Sequence, residues 1–571
     1  MKGFGNYDKY PSISVDRNAF EGFENLREIL KNTKERVTIF DCYPIVDTKS
    51  LLDNIKDLYD IVILSDECAY KNQDLTDKMQ RWLTNDRIFG LMTTDFLDDY
   101  FIKEKIEDKR KIIENSDKKV LVIGVGALLV YSEGLVLHAS IARWESQIRF
   151  RKGTPNWNCD NYNEDPLTKF KRGYFSEWRL GDKHKVRFID KIDYFVDTND
   201  ISCPKVISLK DYFYAMQKTV KRPFRVVPYF DPGVWGGQWM KDVCGLDKRE
   251  KNFAWCFDCV PEENSMYYDF GNVRVEMPAI DLVLFFAKNL LGERVQARFG
   301  NEFPIRFDFL DTMGGQNLSL QVHPTTEYIQ QTFNMHYTQD ESYYILDCED
   351  DGSVFLGVKK DIDKNQFIQT LQNAQNTGEI NVEKYINRWH AKKHDHFLIP
   401  AGTIHCSGSN AMVLEISSTP YIFTFKLWDW GRLGLDGKPR SINIGHGSRV
   451  IDFSRDTDWI AKNLVGQVNT INKTDTFTEE KTGLHEREFL ETRRHWFCDE
   501  VLHKSDRSVN VLNLVEGEEA EIISPDNSFE PFVVHYAETF ILPADAGDYI
   551  IRPTKKIKGK KLATIKAYVR G

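Results

Sequence analysis

The chain has 571 residues, a length that predicts about three to five structural units rather than one core. Its 41% hydrophobic and 28% charged residues exclude intrinsic disorder. A net charge of −10 offers no general attraction for nucleic acid or for an anionic membrane surface. No window approaches the roughly 18 consecutive apolar residues of a membrane span, and the stretch from Met1 to Asn18 lacks a basic segment followed by an apolar one. The expectation is a cytoplasmic protein with neither nucleic acid nor membrane as partner. Ten scattered cysteines fit reduced core thiols, and the single CxxC, Cys256-Phe-Asp-Cys259, has no second pair or histidine cluster beside it.

Residues 37–145 alternate short β-branched runs with longer polar stretches: Val37-Thr-Ile-Phe40, Tyr59 to Leu64, Ile88-Phe-Gly-Leu91 and Val120-Leu-Val-Ile123. This rhythm predicts βαβ units and a parallel sheet within an α/β domain over residues 1–215. The last run ends in Gly124-Val-Gly126, a turn of the kind that presents phosphates to a helix N-terminus. It lacks the third glycine of a dinucleotide fingerprint and the Lys-Ser/Thr of a P-loop, so a strand-to-helix turn needing positive φ is the plainer expectation, and a kinase role for this domain is disfavoured. The segment from Arg143 to Arg187 mixes Arg, Lys, Trp and Tyr with acidic residues and reads as an interdomain surface. Over residues 216–450 short strands alternate with Gly, Pro and Asn turns, predicting an all-β unit with a helical insert at 365–388. A second β-rich stretch follows over 451–571.

The most informative stretch is Leu318-Ser-Leu-Gln321-Val-His323-Pro324. In a strand, residues two apart project to one face, so the Gln321 amide and the His323 imidazole can address one point. Glu341 heads another strand, and Ile399-Pro-Ala-Gly402-Thr-Ile-His405 delivers a histidine after a Pro/Gly turn. Two imidazoles, a carboxylate and an amide oxygen make a mixed N/O set suited to Zn²⁺ without excluding another divalent ion. His394 and His396, also two apart, form a competing pair with His405, and spacing alone does not choose between the sets.

Taken in order, these motifs resemble the class I phosphomannose isomerases, double-cupin zinc enzymes that interconvert mannose 6-phosphate and fructose 6-phosphate. The resemblance spans about residues 225–450. It rests on Gly233-Val-Trp-Gly-Gly-Gln-Trp239, Phe303-Pro304 to Leu310-Asp311, the Gln321-Val-His-Pro324 strand, Glu341-Ser-Tyr-Tyr-Ile and the Ile399 to His405 turn. Val413-Leu-Glu415-Ile, Leu427-Trp-Asp-Trp-Gly-Arg432 and Gly437-Lys-Pro-Arg440 complete it, with a fainter echo from Tyr536 to Ala544. It implies a metal-bearing cupin at 216–450 and a metal-free one at 451–571, preceded by an α/β domain that ordinary members lack. It implies Gln321, His323, Glu341 and His405 as ligands of one Zn²⁺, with His394 and His396 in supporting roles. Glu415, Lys426 and Arg432 are then expected to be catalytic and a sugar or sugar phosphate to be the substrate. Three family cations are changed: an arginine appears as Lys426, and two lysines as Asp308 and Gln339. Arg306, two residues from Asp308, is the expected compensation. These changes leave two expectations open, an isomerase and a metal-binding cupin that senses sugar or serves assembly without catalysis.

Overall fold

The computed structural model describes residues 4–419, 421–435, 437, 440, 442–483, 485–486 and 488–570. Five parallel strands form the heart of the N-terminal unit, in the spatial order Ile61–Leu64, Val120–Val125, Val37–Cys42, Leu135–Ser140 and Tyr194–Asp197. Lys205–Ser208 and Phe20–Glu21 extend this sheet antiparallel at one edge. Val37–Cys42, Val120–Val125 and Leu135–Ser140 are buried at every position, which is why they read as continuous apolar runs.

Two expectations change here. Ile88 to Leu91 is not a strand. Phe89 instead stacks on Phe423 at 5.4 Å and meets Phe333 and Phe425, so this apolar run is buried by contact between units rather than by a ladder. The chain start also leaves its expected domain, because Ser12–Val15 pairs in parallel with Ser265–Phe270 of the middle unit. At the glycine turn, Gly126 takes φ 70°. A Cβ on Gly124 would lie 2.5 Å from the Ser65 hydroxyl, and one on Gly126 would lie 2.7 Å from the Phe101 ring. Both glycines serve close packing and backbone conformation. After Val37–Cys42, the helix Thr48–Ile55 is capped by Asp47, whose carboxylate accepts from the Ser50 amide at 3.0 Å and from its hydroxyl at 2.7 Å. A protein carboxylate thus satisfies the N-terminus of this helix.

Beside the three-stranded sheet of Ser12–Val15, Ser265–Phe270 and Val273–Pro278, the middle unit is built on two facing antiparallel sheets. One runs His396–Ile399, Asp340–Cys348, Ala411–Ser418, Arg306–Asp311, Trp255–Cys259, Tyr229–Asp231. The other runs Ile386–His390, Ser353–Val358, His405–Ser407, Leu320–Val322, Phe425–Trp428. The expected insert is the helix Lys364–Thr377, but the unit is not otherwise all-β: Ile280–Leu291, Glu293–Phe299 and Thr326–Phe333 are helices. Cys256 and Cys259 are buried free thiols of the strand Trp255–Cys259. The C-terminal unit again comprises two sheets, of six and four strands, around a core of its own. Among the described residues, no helix is long and apolar enough to cross a membrane.

The segment 143–187 is the interface that its composition suggested. Arg143 lies between Asp182 and Glu262, Arg179 joins Glu262, and Lys185 pairs with Asp281. Trp144 donates to Glu276 at 3.0 Å. Burial first, then the charge of Asp197, pushes the Glu276 carboxyl up to about 8. An unfolded glutamate titrates near 4.3, so between these values the folded state holds the extra proton. Stability from this group is therefore full below about pH 4 and declines as pH rises toward 8, by about 1.4 kcal/mol for each pH unit crossed between the two values. Glu276→Gln should flatten that decline, raising the thermal midpoint at pH 8 while leaving it nearly unchanged at pH 5. Parallel wild-type and variant melting profiles across this range would refute the assignment.

Candidate metal centre and adjoining cavity

The short strand Leu320–Val322 sets Gln321 beside His405 on one side and Lys426 on the other, with His323 just past its end. His405 opens the strand His405–Ser407 after a turn in which Gly402 takes φ 87°. Glu341 belongs to the opposite sheet and reaches across the sandwich. Its carboxylate lies 3.0 Å from His323 Nε2 and 2.7 Å from His405 Nε2, and the Gln321 amide nitrogen lies 3.2 Å from the latter. His323, Glu341 and His405 form a fully buried group whose donor atoms all fall within 4.8 Å of one another.

The outer hydrogen bonds fix the chemistry of this group. His323 Nδ1 faces the Phe423 carbonyl at 2.8 Å, and His405 Nδ1 faces the Thr403 carbonyl at 2.9 Å. A carbonyl only accepts, so each Nδ1 carries the proton and each Nε2 turns a lone pair toward the Glu341 carboxylate. Acceptors this close repel in a buried site unless positive charge lies between them. His323 Nε2 and Glu341 Oε1 accordingly have no hydrogen-bond partner. Burial lowers the His323 pKa, but the negative charge of Glu341 outweighs it and raises the group above its ordinary value. Burial raises Glu341, yet the two histidines hold it well below the usual carboxylate range. The donor set fits a divalent cation.

Glu415 stands on the strand Ala411–Ser418, opposite Asp308 on one neighbour and Tyr343 on the other. Gln339 Nε2 donates to Glu341 at 2.9 Å and to Glu415 at 3.1 Å, and Ser417 donates to Glu415 at 3.0 Å. Burial, then the charges of Glu341 and Asp308, raises the Glu415 carboxyl well above its ordinary value. Desolvation, followed by the charge of Arg440, pushes Lys426 down to about 7. Gln321, Gln339, Glu415, Arg306, Asp308 and Lys426 line a cavity of about 280 Å³.

The structure therefore brings together the four expected ligands, Glu415 and Lys426. Arg432 is a correction: it does not line the cavity but is held by Asp429 and by the Asn317 carbonyl at 2.8 Å. Arg440 lines the cavity instead, also paired with Asp429, while Lys438 and Pro439 of that motif lie outside the described residues. Arg306 does not stand in for the missing lysine, because its guanidinium is bound to Asp308. His394 and His396 lie away from the centre. His394 bonds to Tyr344 at 2.9 Å and Glu516 at 3.0 Å, and burial pushes His396 down to about 3. Sequence reading missed the bridging role of Gln339 and the cavity lining by Glu263 and Tyr421, since neither spacing nor residue type marks them.

Two facing sheets enclosing a buried His/Glu/Gln set beside a cavity define a β-sandwich protein with a candidate metal site and an added α/β unit. Residues 22–221 match a family model described as a domain of unknown function, DUF8485. The chain is similar to the probable mannose-6-phosphate isomerase GmuF of Bacillus subtilis, 24% identical over 339 residues that cover 58% of this chain and 96% of that protein. It is also similar to the mannose-6-phosphate isomerase ManA of Bacillus subtilis, 25% identical over 236 residues, 40% of this chain and 68% of that one. A crystal structure of mannose 6-phosphate isomerase from Bacillus subtilis superposes with a TM-score of 0.48 at 19% identity, covering 61% of this chain and 99% of that one. The sequence similarity relates the chain to mannose-6-phosphate isomerases by homology.

Proposed function

We propose that the protein is a zinc-dependent aldose–ketose isomerase of the double-cupin type, acting on a hexose or hexose phosphate through an enediol. Glu415 carries this reading: a buried carboxyl lines the cavity and shares the Gln339 amide with Glu341 of the metal set. A zinc ion held by Gln321, His323, Glu341 and His405 would polarise the sugar oxygens at C1 and C2 and stabilise the negative charge they acquire. Glu415 takes the proton from C2 of the aldose and returns it to C1 of the ketose. Its raised pKa suits a group that must both accept and give back a proton. Gln339 and Ser417 aim its carboxyl, and Lys426 offers a hydrogen-bond donor from the cavity wall. The buried setting keeps the proton from exchanging freely during the transfer.

Homology to proteins named mannose-6-phosphate isomerases supports the reaction class. The test is turnover of D-mannose and D-mannose 6-phosphate by the full-length protein with its metal content measured. Ketose formation that stops on chelation and returns with zinc is expected. Full zinc occupancy without turnover of any hexose or hexose phosphate would leave a metal-binding sugar receptor and end the isomerase reading.

A further inference from the structure

The cavity beside Glu415 is not closed by the metal-bearing unit alone. Gln147, Phe150 and Arg151 from the helix Arg143–Arg151, and Pro166, Leu167 and Phe170 from the helix Pro166–Arg172, form part of its wall. These residues fall inside the stretch matched by the domain of unknown function. The wall is fixed in place. Arg151 makes a two-pronged bond to Asp231 at 2.7 and 2.8 Å, and Gln147 donates to Glu263 at 2.7 Å. Phe170 stacks on Tyr421 at 6.1 Å. Leu167 remains 45% exposed, an apolar side chain at the cavity with nothing packed over much of it.

The lining is balanced in charge, and nearly every cation in it is already engaged. Arg151 is bound to Asp231, Arg306 to Asp308 and Arg440 to Asp429. Among the described residues only Lys426 lines the cavity without a carboxylate partner. A phosphate dianion presents acceptors alone and needs several free donors. The side chains that line the cavity offer a mixed set instead: the Arg306 guanidinium donates, the Asp308 carboxylate accepts, and the Gln339 amide can do both. Sugar hydroxyls both give and accept hydrogen bonds and match such a mixed lining, while a phosphate would meet the Asp308 carboxylate acceptor to acceptor.

We infer that the N-terminal unit is the substrate-recognition wall of this site and that the substrate is an unphosphorylated sugar. In this arrangement the hydroxyls meet Arg306, Asp308 and Gln339, and the carbon-rich end meets Phe150, Leu167 and Phe170. The inference rests on the isomerase reading for its chemistry, but it is tested by binding. Isothermal titration of the zinc-loaded full-length protein with D-mannose and with D-mannose 6-phosphate should show at least a tenfold preference for the free sugar. Leu167→Lys places a cation on an exposed wall position where folding is not at stake, and it should shift that ratio at least tenfold toward the phosphorylated sugar with zinc content unchanged. A wild-type preference for mannose 6-phosphate, binding of neither sugar, or a ratio that Leu167→Lys leaves unmoved would each overturn the inference. Free-sugar preference without turnover would sink the isomerase reading and leave the wall standing. Turnover with a preference for the phosphate would do the reverse.

Discussion

His405→Ala should lose bound metal and turnover together. The imidazole is fully buried, 2.7 Å from Glu341, with its other nitrogen tied to the Thr403 carbonyl. Outer partners of a metal ligand are alone worth about 10- to 100-fold in affinity, so removing the ligand itself should cost more than that. The Glu341 carboxylate would be left with His323 as its one remaining imidazole partner, and water cannot restore the lost donor at the same geometry. Metal content by emission spectroscopy and sugar turnover should fall in parallel across a zinc titration. A variant that keeps one zinc per chain and a tenth of the wild-type activity would remove His405 from the ligand set.

Glu415→Gln should separate the two properties. The amide is nearly isosteric and can still accept from Ser417, and the expected ligands Gln321, His323, Glu341 and His405 are all left in place, so zinc should be retained. Glutamine cannot carry a proton between C1 and C2, and loss of a positioned acid–base group costs about 10²- to 10⁴-fold in rate. For the wild type, turnover should rise with pH through the raised pKa of Glu415, because proton abstraction requires the ionised form. The variant should lose that limb of the profile along with most of its rate. Unchanged turnover in Glu415→Gln would mean that another group moves the proton, and the neighbouring Asp308, which burial pushes up to about 7, would be the first to examine.

Much of the candidate metal site was legible because it is written in short-range periodicity. Gln321 and His323 share a strand face by alternation alone, and the Pro/Gly turn before His405 is a local backbone requirement. Spacing could not decide between His405 and the pair His394/His396, because which way a strand faces depends on the sheet it joins. His396 pairs with Tyr344 and His394 turns to Glu516 of the C-terminal unit, contacts made across 52 and 122 residues. The run Ile88 to Leu91 misled for a related reason: apolar residues record burial, and here the partner is an aromatic cluster more than 240 residues away.

Residue type at fixed local spacing was enough to expect parallel α/β and β-rich stretches and to single out the donor residues of the candidate site. Tertiary structure decided what the cavity can hold. Whether a cation is free or neutralised depends on pairs such as Arg151 with Asp231, Arg440 with Asp429 and Arg306 with Asp308. Placing Leu167 and Phe170 in one cavity wall with Glu415 depends on how an α/β unit docks on a sandwich. Electrostatic and packing partners are set by distance in space, and chain spacing carries that distance only within a turn or a strand.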